Sequence, residues 1–527
     1  TQIVEYSYDW VPSSIALAAR SRLQPVVAPT SNGSGVSEES TEVYDSLGQP
    51  IWRQDEGGYL TYYEYDPFSG GLTKLIADAD PSLISGAPVT APARPGGLPT
   101  PLHLTTTVLL DNLGRTVKVT DPNGNVTFTV YNDADREVRV YPGWNAATGT
   151  TTGPIQVYRE EWSVSGSEGG YIENLTMSAT PSVSGSSGSY VPTGQESIAS
   201  VQSLQRQIFS RAGQVIAVDV YVGTSLSYST STTIGVEGTN YLRTTYDYDK
   251  RGRLARTASP DGTKQHTFYD SPGRVTAVWV GTDDVPSSDL NGMGGIDWSD
   301  FRYGANQSGT GTAPSGTSMY KVQANEYDFN GIGNGNLTKT VAIASSTESY
   351  TTEYRYDFRD RLKQMRGPDN VATKYTLDNL GRQKLVEVYA DSDTDFVIDT
   401  GELRGKSQQH YDERGQVYQR EVYESSPTSG TGSNFLSSRM WYDPRGNLVK
   451  TRDGSGLFSK FEIDGAGRTV ATYLSYDTSE GDTLYGAADD VVGDTVIEQT
   501  RTIYDKGSRP VSTTTFMRLE NDTTSTG

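Results

Sequence analysis

Branched or aromatic residues recur at every second position along much of the chain, as in Arg115-Thr116-Val117-Lys118-Val119-Thr120 and Val126-Thr127-Phe128-Thr129-Val130. That is the period of a strand with one wet face. Two kinds of turn signal interrupt these short runs. One is an aromatic or aliphatic residue, then Asp, two variable residues, Gly and often Arg, as in Tyr44-Asp45-Ser46-Leu47-Gly48-Gln49. The other falls about halfway to the next copy, as Asp121-Pro122-Asn123-Gly124, Ser259-Pro260-Asp261-Gly262 or Asp453-Gly454-Ser455-Gly456. Pro presets φ at about −65° and Gly or Asn tolerates positive φ, so both signals predict β-turns. The pattern predicts short antiparallel strands throughout, with one short helix over Ser13 to Leu23 as an exception.

The first signal occurs fourteen times, beginning at Tyr44, Tyr65, Leu110, Tyr131, Phe209, Tyr248, Tyr269, Tyr327, Tyr356, Leu377, Tyr411, Tyr442, Ile463 and Tyr504. Five pairs of copies share a spacing of 21 residues, which accommodates two strands and two turns. Irregular insertions follow the second copy of a pair, dividing the chain into an N-terminal strand and loop region at 1–43 and modules at 44–109, 110–247, 248–355, 356–441 and 442–527. A fixed insertion point predicts loops on one edge or face. The expected fold is all-β: repetitive antiparallel strand–turn units in a long spiralling sheet that forms a shell, barrel or tube section.

Each repeat residue has an expected task. Tyr44, Tyr248, Tyr269, Tyr356 and Tyr442 close strands, where each ring would stack on the equivalent ring of the next strand pair while its hydroxyl reaches water or a backbone carbonyl. Asp45, Asp111, Asp249, Asp270, Asp357 and Asp443 would cap turns, and Gly48, Gly114, Gly252, Gly273, Gly381 and Gly446 would supply the left-handed residue. Arg115, Arg253, Arg274 and Arg382 would lay their stems along the sheet and pair with neighbouring acids.

Composition narrows the function. With 65 acidic against 44 basic residues, a net charge of −21 leaves no cationic footprint for nucleic acid. The absence of cysteine removes zinc-finger, iron–sulfur, thiol-catalytic and disulfide-stapled readings. An apolar share of 34% suits thin β structure better than a compact enzyme. No apolar run approaches the ~18 residues that cross a bilayer, so no membrane insertion is expected within this segment. The chain has no initiator Met and reads as a processed piece.

The Tyr-Asp-x-x-Gly-Arg unit, the Asp-Pro-x-Gly turn between copies and the 21-residue spacing resemble the YD-repeat, or Rhs, family over about residues 40 to 515. Its members include bacterial toxin-carrying Rhs proteins, insecticidal toxin-complex subunits and animal teneurins. The resemblance implies an extracellular or cell-surface β-shell, bacterial in origin, used for encapsulation or adhesion. The expected partners are the rest of a larger parent chain or identical copies. The family's self-cleavage segment and terminal toxin have no counterpart in these residues.

Two insertions carry sharper chemistry. Asp391, Asp393, Asp395, Asp399 and Glu402 place oxygen ligands at positions 1, 3, 5, 9 and 12 of a loop, with Val397 at the backbone-carbonyl position. This resembles an EF-hand calcium loop, although Phe396 stands where a sharp-turn Gly is usual. Asp289, Asn291, Gly295, Asp297 and Asp300 make a second, less complete version, with Met293 at its fifth position. Calcium is the one expected cofactor. Trp144, Trp162, Trp279 and Trp298 in or near the insertions support a second reading, loops that recognise glycans or another cell surface. A third, a polysaccharide-acting enzyme, needs two carboxylates ~5 to 10 Å apart. No catalysis is expected: His103, His266 and His410 occupy separate strand-like positions, and neither a Gly-x-Ser-x-Gly elbow nor a Walker loop occurs.

Overall fold

The computed structural model describes residues 3–162, 168–222, 227–284, 318–328, 334–399, 401–426, 430–476, 485–486, 488 and 490–519. Among these residues the chain is all-β: there is no α-helix, and the two 3-10 segments, Pro29–Ser31 and Pro81–Leu83, are single turns. Thirty-two strands belong to one antiparallel sheet. Consecutive strands pair, as Pro50–Gln54 does with Leu60–Tyr65 and Leu60–Tyr65 with Leu72–Ala77. The chain divides into two compact units, one of Thr1–Val126, Arg382–Glu387 and Arg404–Gly527, the other of Thr127–Gly381 and Val388–Leu403.

The repeat turn has one geometry. Asp45 donates its N–H to the Gln49 carbonyl, its own carbonyl accepts from Gly48, and its Oδ1 accepts the N–H groups of Leu47 and Gln49. The same two side-chain bonds, to the second and fourth residues on, recur at Asp111, Asp249, Asp357, Asp412 and Asp464. Turns of the second kind use them as well, at Asp55, Asp121 and Asp453. Four backbone N–H groups and two carbonyls are thereby satisfied by one carboxylate and one tight turn. Gly252 sits at φ +76°, where a Cβ is strained. In twelve copies a β-bulge falls immediately before the opening residue, from Val43/Tyr44 to Ile503/Tyr504. Such a bulge bends the strand and raises its twist, once per copy.

Successive turns are joined by a clasp. Eight tyrosines, Tyr65, Tyr248, Tyr269, Tyr327, Tyr356, Tyr411, Tyr442 and Tyr504, donate their hydroxyls at 2.8–3.1 Å to the carbonyl two residues past the preceding turn's glycine position. The residue between that glycine and that carbonyl completes the link. As Arg253, Arg274, Arg382 or Arg468 it lies over the next ring, 4.4–4.9 Å from its centre. As Gln49, Gln214 or Gln416 it donates to the next turn's glycine carbonyl instead. Arg253, Arg361 and Arg468 also donate Nε to their own turn's Asp and Nη1 to the next turn's Asp carbonyl. Bonds of this kind hold the Asp357 and Asp111 carboxylates low, whereas burial raises that of Asp412. The Arg361 side chain is the main cause at Asp357, whose pKa falls to about 2, and the Arg115 N–H is the main cause at Asp111.

Three expectations are corrected. Where ring-on-ring stacking is expected of the repeat tyrosines, Tyr269, Tyr327, Tyr411 and Tyr504 instead carry an Arg guanidinium over the ring, which the face of an electron-rich ring attracts more strongly than it does another face. The Ser13 to Leu23 helix is instead a turn, with Ser13 at φ +60°, followed by the strand Leu17–Leu23. Pairing with Glu5–Trp10 on one side and Glu39–Tyr44 on the other overrides the helix propensity of Leu-Ala-Ala-Arg. His103 lies outside any strand, at φ +48° with Nδ1 accepting from Asp80 N–H. The insertion after Tyr141 also contains two long sheet strands, Ile155–Glu161 and Glu168–Met177.

The first unit joins segments far apart in sequence. Asn32, 2% exposed, donates to the carbonyls of Tyr418 and Met440, while Arg414 pairs with Glu38 and donates to the Pro25 carbonyl. Its apolar core of Trp52, Leu60, Tyr62 and Ile76 is covered by Ile84, Ala87, Val89 and Ala91 of an insertion, with Trp52 Nε1 donating to the Val89 carbonyl.

Tyr248→Phe removes one clasp hydroxyl from the Val215 carbonyl and is expected to cost about 0.5–1.5 kcal/mol. Gly252→Ala, forced into the left-handed region, is expected to cost about 1–2 kcal/mol. Urea-unfolding midpoints of the two variants against the parent measure both.

Candidate functional site

Six neighbouring strands of the second unit carry a row of charge across one face. Register places Glu137 opposite Arg159, Arg159 opposite Glu173, Glu173 opposite Arg206, Arg206 opposite Asp219 and Asp219 opposite Arg243. The sign alternates at every step, the arrangement in which each cross-strand neighbour is attractive. Glu173, Arg206 and Asp219 are fully buried. Glu173 Oε2 accepts Arg206 Nε at 2.9 Å, and Arg243 holds both oxygens of Asp219 at 2.6 and 2.7 Å.

Insertions fold back over this row and complete it. Ser229 and Thr232 carbonyls accept Arg206 at 2.6 and 3.3 Å, the Ser231 carbonyl also accepts it, and the guanidinium lies 4.4 Å from the Tyr171 ring centre. Tyr228 donates to Glu173. On the other side Glu196, buried, accepts Arg139 Nη1 at 2.9 Å, Tyr141 OH at 2.6 Å and Ser182 N–H at 2.9 Å. Burial opposes its charge, but these three donors outweigh it and hold its pKa below the ordinary value. Burial, then the neighbouring carboxylates, push the Tyr141 and Tyr228 phenols up. Trp144 is buried against Tyr141 and Phe128, its Nε1 donating to the Tyr190 carbonyl.

A second charged cluster surrounds buried Asp284, which lies 2.6 Å from Arg256 Nε, 2.9 Å from Lys264 Nζ and 2.9 Å from His266 Nε2. Burial works against its charge, yet Arg256, Lys264 and His266 hold its pKa down. Burial lowers His266 in turn. Trp279, also buried, sits under Lys321.

The acidic insertion forms a compact turn. Carboxylate oxygens of Asp391, Asp393 and Asp395 lie within 4.8 Å of one another. Asp391 is fully buried: one oxygen takes Arg366 Nη1 at 2.7 Å and the other Phe396 N–H at 3.1 Å. Phe396 adopts φ +65°, so an aromatic occupies the left-handed position, where Arg355 and Arg366 lie 4.0 and 4.4 Å from its ring centre and Gln364 donates to its carbonyl. Val397 donates N–H to Asp395. Glu402 turns to Ser392 N–H and Oγ and to Asp399 N–H. Partial desolvation, then the repulsion of Asp393, Glu402, Asp395 and Asp391, raises the exposed Asp399. The structure therefore brings three of the expected ligands together and uses Glu402 inside the loop. The second loop, Asp289, Asn291, Gly295, Asp297 and Asp300, lies outside the described residues, as does Trp298.

No family model and no curated protein matches the chain. Solved structures with similarity include a TcdB2-TccC3 crystal structure, at 12% identity and a TM-score of 0.31 over 98% of this chain and 28% of that one. Another is the Photorhabdus luminescens Tc holotoxin pore, at 13% identity and a TM-score of 0.35 over 92% of this chain and 24% of that one. The chain thus spans about a quarter of their length. Similarity at this level fixes neither fold nor activity.

Arg206→Met leaves Glu173 and Asp219 buried beside an apolar side chain and is expected to cost about 3–5 kcal/mol. Adding Glu173→Leu removes one stranded charge and should recover part of the loss, as read from urea denaturation of the single and double variants.

Proposed function

We propose that this chain is a structural section of an exported YD-repeat β-shell, serving encapsulation or cell-surface architecture. The observation that carries this reading is the clasp. The tyrosine link recurs at eight turns, with Arg over the ring at four of them, and its elements are the same residues on which the YD-repeat resemblance rests. The buried ionisable groups fit the same role, because they pair with one another and with insertion carbonyls rather than converging on a cleft. The proposed role is non-catalytic, with partners supplied by a larger parent chain or by identical copies. Burial of Trp144 and Trp279 favours plugs over a glycan-binding display. Small-angle scattering tests the shell: a hollow particle gives a distance distribution weighted toward long vectors, and a solid, compact profile overturns it.

Calcium is the second element of the proposal. Asp391, Asp393 and Asp395 offer only oxygen, which suits a hard divalent cation, and a cation would relieve the carboxylate repulsion that adds to desolvation in raising Asp399. At millimolar calcium and a Kd of ~10 to 100 μM the stabilisation is roughly 1.4 to 2.7 kcal/mol. Calorimetry in calcium against matched magnesium is expected to show a higher Tm in calcium that Asp393→Ala abolishes. Equal responses to the two ions would end the calcium reading.

A further inference from the structure

One step of the sheet departs from the clasp, and a cavity opens where it does. At Tyr356 the hydroxyl still donates to the Leu337 carbonyl at 2.8 Å, but the linking position holds Asn336 instead of Arg or Gln, and no cation lies over the ring among the described residues. The next turn departs as well. Asp360 takes its glycine position at φ +59°, and its carboxylate receives the side-chain amides of Asn336 at 2.8 Å and Asn334 at 3.2 Å. These four residues line a cavity of about 690 Å³ in the second unit, with Thr394 and Phe396 of the acidic insertion on one wall. Sites that hold small organic molecules run to about 300–1,000 Å³.

The carboxylates of this cavity already have donors. Glu353 pairs with Arg366, Asp357 accepts Arg361 Nε and the N–H groups of Arg359 and Arg361, and Asp360 holds the two asparagine amides. Two cations on the same cavity have no acceptor. Arg355 is exposed and lies 4.0 Å from the centre of the Phe396 ring, yet it has no hydrogen-bond or ion-pair partner among the described residues. Lys363, also exposed, has none there either. Stacking on a ring fixes the plane of a guanidinium and leaves the N–H groups at its edge free to donate. A space with unused cationic donors and satisfied acids suits a ligand that brings its own negative charge.

The kind of anion follows from what else lines the space. Glu353, Asp357 and Asp360 stand around it, so a phosphate dianion is repelled more strongly than a monoanion, while a planar carboxylate matches the guanidinium fork. The side-chain amide oxygens of Asn334 and Asn336 accept no hydrogen bond among the described residues, and they suit hydroxyl donors. The Tyr356 ring, without the cation that covers Tyr269 or Tyr327, offers an apolar surface to the C–H face of a sugar. We propose that this cavity binds an acidic saccharide of the uronic type, with one carboxylate on Arg355, Lys363 adding to the attraction, hydroxyls on Asn334 and Asn336 and the sugar ring against Tyr356. The site stands on the geometry of these strands alone, so it and the shell can fail separately.

Methyl glucuronide, one ring with one carboxylate, is the probe, and its methyl ester is the same ring without the charge. Ligand-observed NMR titration of the chain at low salt is expected to show saturable binding of the acid in the millimolar range or tighter. Arg355→Gln, which keeps a planar group beside Phe396, should weaken it about tenfold, the loss of one charge-assisted pair. Lys363→Ala should weaken it less, and Lys250→Ala, an exposed lysine outside the cavity, should leave it unchanged. The ester should bind about tenfold more weakly than the acid for the same reason, and inorganic phosphate at equal concentration should not displace the acid. Thermal melts of the variants against the parent check that each is folded; if Arg355→Gln is not, the ester and phosphate comparisons on the parent chain decide. The absence of saturable binding, equal binding of acid and ester, displacement by phosphate, or full affinity in folded Arg355→Gln would overturn the proposal.

Discussion

Every strand of a thin sheet must hand its backbone groups to a neighbour, and the weak point is the turn, where the ladder stops and the polar groups still need partners. In a turn such as that of Asp249 the aspartate satisfies the turn internally, and Arg253 and Tyr269 then tie it to the next. Position along the sheet is set by these side chains as much as by the backbone ladder. A bulge at the opening residue supplies the local twist that brings one turn alongside the next.

The interior follows from having little apolar residue to spend. With 34% apolar composition, the faces covered by insertions cannot all be hydrocarbon, and one of them is an alternating row of carboxylates and guanidinium groups. A buried ion pair contributes little net stability, but a misregistered one strands a charge. A slip of one residue would push Arg206 out of reach of Glu173 and put Gln205 or Gln207 in its place. The row therefore penalises wrong register more than it rewards the right one, which suits a sheet of near-identical strands.

The repeat spacing, the turn chemistry and the all-β fold were legible because each rests on local rules: period-two alternation, Pro and Gly at turns, and Asp capping. The tyrosine hydroxyl was legible as a carbonyl donor, whereas the ring's partner was not, since Arg and Tyr belong to different copies that only the sheet brings together. The charged row was hidden by its own pattern. In Glu137-Val138-Arg139-Val140-Tyr141 alternation points the valines inward, yet Glu137, Arg139 and Tyr141 are the buried positions because Glu196 and its insertion cover that face. In the acidic loop, the spacing identified Asp391, Asp393 and Asp395 as neighbours, but nothing local announced that Arg366, from a strand earlier in the chain, would hold Asp391.

Because the clasp binds each turn to the one before it and the one after it, it adds a comparable linkage at each step along the chain, beside the contacts that join distant segments such as Asn32 with Tyr418. Deleting or duplicating one whole 21-residue period keeps the clasp register on both sides of the junction, while removing a few residues from within a period breaks two clasps at once. Gene rearrangement is thus tolerated in quanta. The length of such a protein can drift by crossing-over between its own repeats, and each insertion travels with the strands whose face it covers.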